Sequence, residues 1–86
     1  MWQISYEARA TKFLKKADKV DQIKILKYLY KVSQNPKLFG KALSGGLKGL
    51  WRYRVEDYRI ICKLEDKELV VLVVDIGHRS DVYKNK

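Results

Sequence analysis

Leu69-Val70-Val71-Leu72-Val73-Val74 is the longest uninterrupted apolar run in the 86-residue chain. It is short and rich in valine, which reads as a β-strand. Side chains along a strand point alternately to opposite faces, so this strand is apolar on both and needs cover on both. It belongs in the interior of a sheet, with helices over one face and partial cover on the other. The run falls far short of the roughly 20 apolar residues that cross a bilayer. With 47% hydrophobic and 34% charged residues, the chain has material for one modest core, and a single domain over residues 1–86 is expected.

The neighbours of that strand precede it. Leu50 to Val55 and Tyr58 to Leu64 alternate around a Glu56-Asp57 turn, and Asp66-Lys67 makes a second turn into a strand running from Leu69 to Ile76. Trp51, Tyr53 and Val55 then share an apolar face with Tyr58, Ile60, Cys62 and Leu64, which must meet the helices. The other face carries Arg52, Arg54, Arg59, Ile61 and Lys63. In this register Arg54 lies directly opposite Arg59, and like charges so placed destabilise a sheet by a few tenths to about 1 kcal/mol. A fold alone has no use for that arrangement; an anion between the guanidinium groups would explain it. Ile61 and Leu72, or their neighbours, are the expected floor of the groove. Carrying the second turn forward sets Asp75 opposite Tyr58, with His78 and Arg79 just past Arg59 at the same end of the groove.

Upstream, Trp2, Ile4 and Tyr6 alternate with Gln3 and Ser5 as a first strand, and Ser5 is the candidate cap of a helix whose stripe is Ala10, Phe13, Leu14 and Ala17. Asp18 caps a second helix, with Val20, Ile23, Leu26 and Tyr30, flanked by Leu29, as its core-facing positions. That helix ends before Asn35-Pro36. From Lys37 to Gly49 the chain reads as loop. The Gly45-Gly46-Leu47-Lys48-Gly49 segment lacks the rest of a phosphate-binding loop and leads into a strand, so it is a turn-forming connection; Lys48 is counted with the phosphate-binding cations.

Nineteen basic residues against ten acidic give a formal charge of +9, a field that attracts polyanions and acidic proteins. Cys62 is the single cysteine; flanked by Ile61 and Lys63 in a strand, it reads as a small buried hydrophobe. One histidine, one cysteine and no clustered carboxylates supply no metal ligand set, and no cofactor is expected. Past Gly77, where the backbone is free to turn, His78, Arg79 and Tyr83 bring an imidazole, a guanidinium and a phenol together. A basic groove with these groups suits phosphodiester cleavage, in which a neighbouring 2′-hydroxyl attacks, the phosphorane charge is stabilised and the leaving oxygen is protonated.

The order of these elements, and above all "WRYRVEDYRII" and "GHRSDVY", resembles the RelE/ParE superfamily of bacterial toxin–antitoxin toxins, on the RelE side. The resemblance implies an α+β, RelE-like fold: an N-terminal strand and helical hairpin packed on a small antiparallel four-stranded sheet. It implies a metal-independent ribonuclease that cuts mRNA in the ribosomal A site, leaving a 2′,3′-cyclic phosphate and a 5′-hydroxyl. Arg59 and Arg79 match the family's transition-state arginines and Tyr83 its substrate-orienting tyrosine. Arg52 and Arg54 stand where RelE often has lysine, and arginine is a poor base. Proton transfer therefore falls to His78, with Tyr83 as its rival, and no general base is evident. The implied partner is a RelB-like antitoxin with an acidic segment, which would carry the pair to operator DNA.

Two other readings compete. A ParE-like toxin would inhibit DNA gyrase by protein binding, and an inactive basic module would only hold RNA or an acidic peptide. The start of the chain, Met1-Trp2-Gln3-Ile4-Ser5, lacks signal-peptide character, and a cytoplasmic location with no membrane association is expected.

Overall fold

The computed structural model describes residues 1–43 and 49–78. Strand β1 (Gln3–Tyr6) leads into helices α1 (Ala8–Lys16) and α2 (Lys19–Gln34), followed by a 3₁₀ turn (Pro36–Leu38) and strands β2 (Lys41–Ala42), β3 (Leu50–Val55), β4 (Tyr58–Glu65) and β5 (Val70–His78). The fold is α+β, but the sheet has five strands in the order β1-β5-β4-β3-β2, against the four expected. β1 pairs parallel with β5 and the other neighbours pair antiparallel, so the sheet is mixed. The additional strand, β2, lies in what reads from sequence as a loop; two residues are too few to show a period. None of the described helices is long and apolar enough to cross a membrane.

β5 is an interior strand held between β1 and β4. Val71, Val73 and Ile76 are buried and Val70, Leu72 and Val74 half-buried, as a strand apolar on both faces requires. The core joins them to Ala10 and Leu14 of α1, Ile25, Leu29 and Val32 of α2, and Tyr53, Ile60 and Cys62 of the hairpin. Full burial of each large apolar side chain contributes about 1.5–3 kcal/mol. Tyr53 brings a hydroxyl into this core and donates it to the Pro36 carbonyl at 2.8 Å, which avoids an unpaired buried donor.

Helix α1 starts one residue after Glu7 rather than at Ser5, because β1 stays paired with β5 through Tyr6. Asp18 occupies the N-cap position of α2, and the helix ends at Gln34, before Asn35-Pro36. The buried face of α2 differs from the expected one: Ile25, Leu29 and Val32 pack inward, while Val20, Ile23, Leu26 and Tyr30 are exposed. Both sets follow helical spacing. The inward stripe is disguised by polar neighbours that find partners: Gln22 donates to the Leu14 carbonyl of α1 at 2.8 Å, and Ser33 to the Tyr30 carbonyl of its own helix at 2.6 Å.

The β3–β4 hairpin has the expected register, with Val55 opposite Tyr58 and Arg54 opposite Arg59. Glu56 takes the left-handed conformation (φ 52°) that the tight turn demands, and its carboxylate pairs with Lys24 of α2 at 3.1 Å. The β4–β5 register does not follow the sequence reading: Tyr58 faces His78, Arg59 faces Gly77 and Ile61 faces Asp75. The turn occupies Asp66 to Leu69 rather than two residues, and a bulge interrupts the ladder between Ile61 and Cys62. Together they carry the pairing three positions along. Gly77 continues the strand instead of ending it.

Leu69 closes that turn, exposed and with φ 55°, a conformation that costs a side chain with a Cβ roughly 1–2 kcal/mol. Leu69→Gly should therefore raise the unfolding free energy by about 0.5–1 kcal/mol once glycine's greater unfolded-state entropy is counted. Urea denaturation checks this.

Candidate functional site

Strand alternation places the basic residues. With Trp51, Tyr53 and Val55 turned to the helices, Arg52 and Arg54 occupy the opposite face of β3, and Arg59 joins them from β4. Residues so paired have Cα atoms about 4.5–5.5 Å apart, so the Arg54 and Arg59 side chains leave the sheet side by side. Gly77 faces Arg59 from β5 and is itself buried. Lys41 faces Arg52 from β2. Tyr28, Gly40, Lys41, Arg52, Arg54 and Arg59 line one open cleft of about 410 Å³. The cleft lies toward the β2–β3 edge of the sheet, and the expected floor residues, Ile61 and Leu72, are not among its walls.

Gly40 makes the edge possible. Its φ is +65°, and a Cβ there would run into the Arg52 carbonyl and the Tyr53 ring, so the chain turns against Tyr53 and delivers Lys41 to β3 only because residue 40 has no side chain. Tyr28 reaches the cleft from α2, its ring edge-on to those of Tyr53 and Phe39 at 6.4 and 6.3 Å. Sequence reasoning missed Tyr28, Gly40 and Lys41: Tyr28 looks like one more helix residue, and a two-residue strand carries no periodic signal. Gly40→Ala should destabilise the fold by about 1–3 kcal/mol through strain and overpacking, measurable as a lower urea midpoint.

His78 does not join the arginines. It pairs with Tyr58 on the helix-facing side of the sheet, its ring centroid 4.8 Å from that of Tyr58. Tyr58 in turn meets Phe13 edge-on at 5.6 Å and donates its hydroxyl to Asp21 at 2.7 Å. The expected convergence of the hairpin arginines with His78 depended on the superseded β4–β5 register. His78 instead borders a second cleft of about 370 Å³, with Phe13, Lys16, Ala17, Asp18, Asp21 and Tyr58. Arg79, Tyr83 and Lys48, the remaining sequence candidates, lie outside the described residues. Asp75 contacts Arg9 of α1 at 3.6 Å. Cys62 is buried, which pushes its thiol up to about 12, as expected for a packing residue.

The fold has known counterparts. The model of the family described as the ParE toxin of the type II toxin–antitoxin system parDE matches residues 4–83. The chain belongs to the RelE/ParE superfamily of type II toxins. It is 31% identical over 86 residues to a putative RelE-like toxin protein of Escherichia coli, covering 95% of this chain and 90% of that one. It is 30% identical over 53 residues to toxin RelG of Mycobacterium tuberculosis, where the match spans 62% of this chain and 61% of RelG. The toxin–antitoxin complex RelBE2 of M. tuberculosis contains a chain that superposes with a TM-score of 0.84 at 22% identity, covering 91% of this chain and 98% of that one; at that identity the likeness establishes the fold.

The hydrogen bond to Asp21, then burial, then the carboxylates of Asp21, Asp18 and Asp57 push the Tyr58 phenol up to about 12. A raised phenol pKa means that folding favours the protonated form, so this stabilisation is complete below about pH 10 and fades as the pH climbs toward 12. Tyr58→Phe should cost about 1.5–3 kcal/mol near neutrality, as befits a lost hydrogen bond to a charged group. The gap between variant and parent should narrow over pH 10–12 in denaturation curves; a constant gap would contradict the assignment.

Proposed function

We propose that this toxin is a ribosome-dependent endoribonuclease that cleaves mRNA by attack of a 2′-hydroxyl on the adjacent phosphate. The observation that carries the reading is the alignment of Arg52, Arg54 and Arg59 on one sheet face, joined by Lys41 in a single cleft. Three permanently charged groups and a lysine set against a rigid sheet suit a phosphorane, whose charge exceeds that of the starting diester.

In the reaction the 2′ oxygen loses its proton and bonds to phosphorus while the bond from phosphorus to the 5′ oxygen breaks. The products are a 2′,3′-cyclic phosphate and a 5′-hydroxyl. Arg54 and Arg59 are assigned to the phosphoryl oxygens, with Arg79 as the third guanidinium and Arg52 and Lys48 on the flanking backbone. Among the described residues that line the cleft, Lys41 is the one cation that is not a permanently charged guanidinium, which makes it the candidate base. His78 shares its face with Tyr58 rather than with the arginines, so protonation of the leaving oxygen passes to Tyr83.

The partners follow from the same reading: mRNA in the ribosomal A site as substrate, and an acidic RelB-like antitoxin as inhibitor, through which the toxin would reach operator DNA in the cytoplasm. One observation favours a second reading. The matching family model is that of ParE, and a toxin of that kind would act on gyrase by protein binding.

Primer extension on a translated message after induced expression separates the two. In-frame cuts that need ribosomes are expected, and Arg59→Ala should reduce them about 10²–10³-fold, the loss typical of one preorganised charge donor. Lys41→Ala should also reduce cutting, and Lys41→Arg, which keeps the charge but holds its proton, should not restore it. DNA breaks with intact message would favour the gyrase reading instead.

A further inference from the structure

Strand β2 covers β3 only as far as Arg52. Lys41 pairs with Arg52 and Ala42 with Trp51, and among the described residues no strand pairs with Tyr53 and Arg54 on that side. The gap joins the two sides of the sheet. A ring carried by α2 thereby comes to share one cleft with Lys41, Arg52, Arg54 and Arg59. That ring is Tyr28, half-buried at the margin of the core that Ile25, Leu29 and Val32 hold. Nothing in the phosphate chemistry described above uses it.

How the ring is held bears on what it can do. Tyr53 and Phe39 meet Tyr28 edge-on, at interplanar angles of 66° and 69°. Tyr53 is fully buried and tied by its hydroxyl to the Pro36 carbonyl, and Phe39 has the Lys31 ammonium 5.8 Å from its centroid. Tyr28 is therefore fixed by neighbours that are fixed in turn, so a flat ligand stacked on it would cost little further side-chain entropy. Gly40 also lines the cleft and has no side chain to fill it.

The chemistry of the lining selects the ligand. Inorganic phosphate or an acidic side chain would use the cations and leave the ring idle, whereas a purely aromatic ligand would gain little from the cations. A nucleotide uses both. Single-stranded nucleic acid is held by positive charge along its backbone and by stacking of its bases on aromatic side chains. At about 410 Å³ the cleft lies toward the lower end of the roughly 300–1,000 Å³ that small-ligand sites occupy, which suits one nucleotide rather than a duplex.

We propose that Tyr28 is the stacking platform for a nucleobase flanking the scissile phosphate, which makes it a substrate-positioning residue of the cleft. With the phosphate on Arg54 and Arg59 and a neighbouring base on Tyr28, the backbone between them is held at both ends. Fewer rotations then separate the bound chain from the in-line geometry that 2′-hydroxyl attack requires. The proposal rests on the endoribonuclease reading above, and its test separates the two.

The test uses ribosomes programmed with synthetic messages, intact or lacking the base of one nucleotide beside the cut while keeping its sugar and phosphates. Tyr28→Leu should cut intact message about 5–150-fold more slowly than the parent, the loss of one base–aromatic stack. Tyr28→Phe, which keeps the ring, should stay within about twofold. Removing the base should slow the parent by a factor like that of Tyr28→Leu at one of the two flanking positions. There the two losses should not combine: Tyr28→Leu should cut abasic and intact messages at rates within about twofold of each other. Losses that multiply would leave Tyr28 a packing residue and overturn the proposal. Abasic messages cut by the parent as fast as intact ones would also overturn it, a result that needs no variant to fold. Equal losses in Tyr28→Phe and Tyr28→Leu would move the effect to the hydroxyl and reject the platform. No cutting of intact message by the parent would overturn the endoribonuclease reading, and this one with it.

Discussion

A β-strand has two faces, and the β3–β4 hairpin spends one of them on the core. Once Tyr53, Ile60 and Cys62 are buried against the helices, strand geometry commits Arg52, Arg54 and Arg59 to the other face. Burial of those three side chains is worth several kcal/mol, whereas the opposition of Arg54 and Arg59 costs at most about 1. The core therefore wins, and the arginines are held together whether or not an anion is present. This is preorganisation in its simplest form: the energy that gathers the charges is spent during folding rather than at binding.

What the sequence revealed depends on how far each inference had to travel along the chain. The hairpin was legible because its turn is two residues long and its alternation is unbroken from Trp51 to Cys62. The next pairing was not, because a four-residue turn and a bulge each shift the register and neither leaves a mark in an apolar run of valines and leucines. That error moved His78 from the helix side to the arginine groove. Gly77 contributed, since a glycine that reads as a strand end instead continues the strand, opposite Arg59.

The second misreading has a different cause. Helix α2 carries two apolar stripes, and periodicity cannot say which one faces inward. The stripe flanked by lysines looked like the core because Asp21, Gln22 and Ser33 make the true inner face look polar. Their partners, Tyr58, the Leu14 carbonyl and the Tyr30 carbonyl, include groups that only the folded chain brings within reach. Lys41 and Gly40 were hidden for the opposite reason: strand β2 is too short to have a pattern.

That brevity has a consequence for the protein as a material. The sheet is bounded by a four-residue strand on one side and a two-residue strand on the other, with Lys41 on the shorter. Long, flat edges recruit further strands and nucleate fibres; short, charged ones do not. Among the described residues the two outermost strands therefore offer few positions at which another chain could pair, and Lys41 sets a charge at the shorter of them.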